Sequence, residues 1–339
     1  MKPNETILLG HGSGGRLSNE LIRNLFVRYF SNETLSGMTD SALLAMGSEN
    51  IAFTTDSFVV DPLVFPGGDI GKLAVAGTVN DLAVAGAIPL YLTAAFIIEE
   101  GLRLDLLEQI VASMAEEAAK AGVFIVSGDT KVVERGKCDK LFINTSGVGR
   151  QREGAGKATS GSDIKPGDAI IVNGFIGDHG MAVMSARKQI NVQAGILSDC
   201  ASLNKLIDEV WTKSGGIRFM RDATRGGLGS VTSELVSGKQ WGIDLLEEKI
   251  PLRQEVRGMC ELLGFDPVYV ANEGKVVMVV DQQYANQALA VMRSHPLGTQ
   301  AEIIGTITAS HPGRVWMKTT VGGKRIVDLP AGEQLPRIC

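Results

Sequence analysis

Short apolar runs alternate with stretches of helical spacing through the first half of this chain. The runs Thr6–Leu9, Ile51–Thr55, Tyr91–Ile98, Phe124–Ser127 and Leu141–Val148 read as strands. Between them, Ser18–Tyr29, Ile70–Val84 and Leu104–Ala121 carry apolar residues at helical periodicity, and Gly122 supplies a C-cap for the last. From Gln151 to Pro166 the text turns polar and glycine-rich, and a new strand begins at Ala169–Asn173. The second half repeats the mixture, with helix-like segments at Met181–Lys188 and Leu203–Val210 and a strand at Val276–Val280. After Asp328 the text LPAGEQLPRIC has no amphipathic period, which predicts an extended, mobile tail. The pattern predicts an α/β (α+β) protein with domains at 1–155 and 156–327 and a tail at 328–339.

Length supports that division, because 339 residues exceed one compact domain and allow two, each with its own core. A net charge of -5 without a basic block argues against nucleic-acid binding but leaves phosphate-bearing small molecules open, held through a metal. No secretory signal or bilayer-length apolar run is present, so a cytoplasmic location without membrane attachment is expected. The four cysteines, Cys138, Cys200, Cys260 and Cys339, form neither a CxxC pair nor a disulfide framework. Cys339 ends the sequence, at the tip of a proline-spaced segment. A dozen extended residues reach roughly 40 Å, which suits a tethered substrate better than a fixed nucleophile.

Gly10, Gly12 and Gly15 satisfy G-x-G-x-x-G, a pattern that recurs by chance in a chain with 41 glycines. GGDIGK at Gly67–Lys72 is too short for a Walker A loop and lacks the following Ser or Thr. The aspartates say more. Asp40, Asp56, Asp81 and Asp129 each stand beside a small or hydroxyl residue next to an apolar run. Alone, each reads as a turn former or cap. Carboxylates converging from separate strand ends would hold Mg²⁺, and through it a polyphosphate.

The ordered set Asp40-Ser-Ala-Leu, Thr55-Asp56, Asn80-Asp81 and Gly128-Asp129-Thr130 resembles the superfamily of aminoimidazole ribonucleotide synthetase, selenophosphate synthetase and the hydrogenase-maturation family HypE. HGSGG (His11–Gly15), Thr55–Pro89, SGDTKVVERG (Ser127–Gly136), GDHG (Gly177–Gly180), RDATRGG (Arg221–Gly227), ANEGK (Ala271–Lys275) and PRIC (Pro336–Cys339) look like the HypE family over nearly the whole chain. Selenophosphate synthetase carries its reactive Cys or selenocysteine where this chain reads HGSGG, and the purine enzyme has no terminal PRIC.

The resemblance implies a two-domain PurM-like fold, dimerisation through the N-terminal sheets, and ATP-dependent dehydration of a carbamoyl group on Cys339 to a thiocyanate. The carbamoyltransferase HypF would load the cysteine, and a HypC–HypD complex would accept the cyanide. ATP and Mg²⁺ are the implied cofactors, with Asp40, Asp56, Asp81 and Asp129 on the metal. His11, Gly12, Ser13, Gly14 and Gly15 would cover the phosphates, joined by Asn80 and Thr130. Cys339 is the implied carrier, Glu273 the base, Lys131 the neutraliser of phosphoryl charge, and Asp81 a further catalytic residue. His11, His179, Asp222 and Arg225 share the family-like segments without an assigned step. Two other readings stay open: an NAD-dependent oxidoreductase using the glycine loop, and a noncatalytic maturation scaffold that docks by its tail.

Overall fold

A computed structural model of the chain describes residues 15–21, 23–24, 38, 42–46, 49–188, 195–330, 335 and 338–339. The N-terminal half contains α1 (Arg16–Leu21), β1 (Ala42–Met46), β2 (Glu49–Phe58), β3 (Val64–Phe65), β4 (Gly68–Asp69), α2 (Ile70–Val84), β5 (Ala87–Glu99), α3 (Leu104–Ala121), β6 (Phe124–Val133) and β7 (Leu141–Gln151). Then come α4 (Ala155–Ser160), β8 (Ala169–Val172), α5 (Asp178–Lys188), α6 (Asn204–Lys213), β9 (Ile217–Asp222), α7 (Gly227–Val236), β10 (Gly242–Leu246), α8 (Gln254–Leu263), β11 (Val276–Val280), α9 (Ala285–Ser294), β12 (Glu302–Thr308), β13 (Val315–Lys318) and β14 (Lys324–Val327).

The strands form two principal sheets. The first runs β1-β2-β7-β5-β6, antiparallel except for the parallel pair β5 and β6 that α3 connects. The second runs β14-β13-β10-β12-β8-β11-β9 and is mixed. The expected strand at Thr6–Leu9 lies outside the described residues, as does most of the expected helix Ser18–Tyr29.

Helix α2 is the joint between the halves. Asp69 caps it by accepting from the N–H groups of Gly71 (2.8 Å) and Lys72 (3.0 Å), so GGDIGK is a helix start. A surface helix buries one stripe, whereas α2 is apolar nearly all round and buried nearly all round. One side lies on β2 and β7, where Thr78 and Thr145 bond through their hydroxyls at 2.5 Å. Its end, Ala83 and Val84, joins a core cluster with Leu203, Ile207 and Met278 of the C-terminal half. Another cluster joins Phe58, Leu73 and Ile143 to Met181, Val256 and Ile338. The expectation that each half buries its own core holds for the C-terminal half, with a cluster around Ile170, Val231 and Ile304, whereas the N-terminal sheet shares its helix layer with the other half.

Candidate active site between the two halves

Strand β2 and helix α2 bring two of the expected aspartates together. Thr54 and Asp56 alternate onto the helix-covered face of β2. Thr54 Oγ1 donates to Asp81 Oδ2 at 2.9 Å, and Ser57 N donates to Asp56 Oδ1 at 2.7 Å. A Cβ placed on Gly77 would stand 2.9 Å from Phe58 and 3.7 Å from Asp56 Oδ2. Gly77 precedes Asp81 by one helical turn, so both carboxylates occupy the same seam. Asp81 comes from a helix and Asp56 from within a strand, so the expected origin of these carboxylates at strand ends is corrected.

Asp129 does not join them within this chain. Cross-strand register aligns Asp56 with Thr145, Ala94 and Gly128, whereas Asp129 falls in the adjacent row with Ala95 and Asn144. Neighbouring rows face opposite sides of a sheet, and three strand spacings separate β2 from β6 by roughly 14 Å. Asp129 thus lies on the outer face, 63% exposed and paired with Lys131 at 3.2 Å. That pairing lowers its pKa. Thr130 alternates to the inner face, in register with Phe96.

Other expected contacts acquire structural roles. Asn80 is 1% exposed. Its Nδ2 donates to Ala201 O (3.1 Å) and Glu273 O (3.3 Å), and its Oδ1 accepts from Leu203 N (2.7 Å). With those groups committed to the C-terminal backbone, Asn80 clamps the two halves together. Gly15 lies under the start of the tail, where a Cβ would meet Pro330 O at 2.6 Å. Its missing side chain is thereby explained by chain packing. His11, Gly12, Ser13, Gly14 and Asp40 lie outside the described residues.

The last described residues are tucked into the same seam. Cys339 is buried, its Sγ accepting from Arg225 Nε at 2.9 Å and its carbonyl oxygen from Arg225 Nη2 at 3.2 Å. Burial pushes the thiol up to about 12, although Arg225 pulls the other way. Glu273 is 2% exposed, and its Oε1 has no hydrogen-bond partner among the described residues. Burial raises its pKa well above the carboxylate range, reinforced by Asp222, Asp56 and Asp199 and opposed by Arg225. The same field links Cys339 to Glu273 and Asp56. Cys339 and Glu273 therefore belong to one buried, electrostatically coupled group, while Lys131 stands apart on the outer sheet face.

Asp199, absent from the sequence reading, holds the Glu273 loop. It accepts from Glu273 N (3.2 Å), Gly274 N (3.1 Å) and Lys275 Nζ (2.9 Å). The sequence singles out Arg225 only as part of RDATRGG. No local pattern distinguishes Asp199 from a loop aspartate, since its partners lie about 75 positions away.

Residues 38–151 match the family described as AIR synthase related protein, N-terminal domain, and residues 165–318 match its C-terminal domain. Two sheets, a shared helical seam and acidic residues along it define the chain as a protein of that two-domain class. Carbamoyl dehydratase HypE of Rhodobacter capsulatus is 50% identical over 99% of this chain and 98% of its own length. A crystal structure of a HypE–HypF complex superposes with TM-score 0.85 and 51% identity, covering 91% of this chain and 99% of that one. HypE in complex with ATP gives TM-score 0.82 and 47% identity, covering 98% and 100%. The chain belongs to the HypE family of carbamoyl dehydratases.

Proposed function

We propose that this enzyme uses ATP to dehydrate a carbamoyl group on its own Cys339, leaving a thiocyanate that supplies cyanide ligands for the iron of nickel–iron hydrogenase. The observation that carries this reading is the burial of Cys339 beside Arg225 and Glu273, in the seam that also holds Asp56 and Asp81. A loose terminal thiol would have no reason to be buried against a guanidinium and a carboxyl.

In the reaction, the carbamoyl oxygen attacks the γ-phosphorus of ATP and ADP leaves. The C–O bond then breaks with its electron pair going to phosphate, while nitrogen loses both protons and gains a triple bond to carbon. One carbamoyl thioester and one ATP thus give one thiocyanate, ADP, phosphate and a proton. Glu273, unpartnered at Oε1 among the described residues and electrostatically coupled to the Cys339 sulfur, is the proton acceptor. Arg225 orients the tail through the Cys339 sulfur and carbonyl. A thiol held near 12 is a poor nucleophile, so the sulfur accepts its carbamoyl group when the tail is withdrawn, from a carbamoyltransferase of the HypF kind.

The oxygen-only donors Asp56 and Asp81, each oriented by a neighbouring donor, suit Mg²⁺, which when bound neutralises phosphate charge. We assign those two to the metal from this protomer. Asp129 and Lys131 stand on a sheet face that also exposes Phe53, Tyr91, Ile97 and Phe124. Phe53, Val148, Tyr91 and Phe124 align as one apolar stripe across four strands. A symmetric dimer through this face would cover the stripe and bring the partner subunit's Asp129 and Lys131 toward the nucleotide.

A HypC–HypD complex is the proposed cyanide acceptor and the cytoplasm the proposed location. Among the described residues no helix is long and apolar enough to cross a membrane. The test is intact mass of the tail peptide: with carbamoyltransferase and carbamoyl phosphate it gains a carbamoyl group, and only with added ATP does it lose one water. Cys339→Ala forms no thiocyanate while still binding ATP. Water loss without ATP, or mapping to Cys138, Cys200 or Cys260, refutes the reading.

A further inference from the structure

The tail is gripped at its main chain as well as at its sulfur. His179, at the start of α5, is fully buried, and its Nε2 stands 2.8 Å from the carbonyl oxygen of Ile338. A carbonyl oxygen only accepts, so Nε2 carries the proton and donates. Nδ1 is then the acceptor, and Ser198 Oγ at 2.8 Å donates to it. Burial lowers the His179 pKa, in keeping with this neutral tautomer. Phe65 meets the imidazole edge-on with ring centroids 5.3 Å apart, limiting its tilt. One residue on, Leu335 of the tail lies against Gly180.

Ser198 ties this contact to the rest of the site. Its N–H donates to Pro66 O of the N-terminal half at 2.8 Å, and its hydroxyl accepts from Cys200 N at 3.1 Å. Asp199, the next residue, holds the Glu273 loop through two backbone N–H groups and Lys275. One three-residue segment therefore anchors both the imidazole that receives the tail and the loop that carries the base.

We propose that His179 is a positioning residue for dehydration, a latch whose Nε2–H bond to Ile338 sets how deeply the tail inserts and so places the Cys339 sulfur against Glu273. The bond is made to a main-chain carbonyl, so it measures insertion depth regardless of what the sulfur carries. It acts only on the docked tail and takes no part in carbamoyl loading. This inference rests on the reading of Cys339 as the carbamoyl carrier.

The experiment loads wild-type, His179→Ala, His179→Gln and Ser198→Ala enzymes with carbamoyl phosphate and carbamoyltransferase. It then adds ATP and follows water loss from the tail peptide by mass in a single turnover. His179→Ala loads normally and dehydrates at least about tenfold more slowly, as expected from losing one buried hydrogen bond. His179→Gln, whose amide N–H reaches the same carbonyl, recovers part of the rate, and Ser198→Ala falls between.

A second measurement reads docking directly. Maleimide labelling of Cys339 accelerates in His179→Ala, while buried Cys260 stays protected as the internal control for a folded protein. A folded His179→Ala enzyme with wild-type dehydration rate and unchanged Cys339 labelling overturns the latch alone. Wild-type enzyme that loads but loses no water with ATP overturns the parent reading and the latch with it.

Discussion

Glu273 concentrates the chemistry in one side chain. It is enclosed, short of a partner at Oε1, and surrounded by more negative than positive charge, so its proton is held far more tightly than that of a surface glutamate. A general base works only when ionised. Single-turnover dehydration should therefore rise with pH through a transition above the ordinary glutamate range and level off beyond it. Glu273→Gln keeps the shape but removes the acceptor, so the rate should fall by about 10²–10⁴ and the pH rise should vanish. Rapid quench at a series of pH values checks this, and a glutamine variant that keeps the transition would exclude Glu273 as its source.

At the scale of elements, α2 matters most, because its close approach to β2 is what places Asp56 beside Asp81. Gly77 permits that approach, and a methyl there would press on Phe58 and displace the strand. Gly77→Ala should cost about 1–3 kcal/mol in urea unfolding, the usual range for overpacking a tight core. It should also lower Mg²⁺-dependent ATP turnover more than the lost stability explains, since Asp56 shifts with its strand. Unchanged turnover in the folded variant would mean that the seam tolerates displacement and that Asp56 is not held to a metal there.

At the scale of the whole molecule, one face among the described residues is left uncovered by its own chain. The outer face of the first sheet presents a stripe of exposed aromatic and aliphatic side chains next to Asp129 and Lys131. Light scattering should give the mass of a dimer, and Phe124→Asp should shift it toward monomer and reduce ATP turnover in parallel. A monomeric variant with full turnover would place Asp129 and Lys131 outside the nucleotide site. Mixing Asp129→Asn protein with Asp56→Asn protein should restore part of the activity if each site draws on both chains.

Local elements with strong internal signals were legible from sequence: α2, α3 and β11 run over the expected residues, because an uninterrupted apolar run or a left-handed glycine such as Gly122 acts within a few positions. The family followed from ordered motifs, and with it the proposed carrier Cys339 and the proposed base Glu273. Elements such as α7, whose sequence GLGSVTSELV is poor in strong helix formers, and β9, whose IRFMRD mixes charge with apolar residues, depended on packing partners far along the chain.

The aspartates show the divide most clearly. Sequence marked Asp56, Asp81 and Asp129 alike, since each sits in a similar short motif. Strand order and register then put the first two in one seam and the third on the opposite face. Likewise, Asn80 became a clamp and Arg225 a tail contact through groups more than 100 positions distant. Residue chemistry and periodicity are local properties of the chain, whereas convergence depends on which segments pack together, and that is decided only when the two halves close on α2 to bury their shared apolar surface.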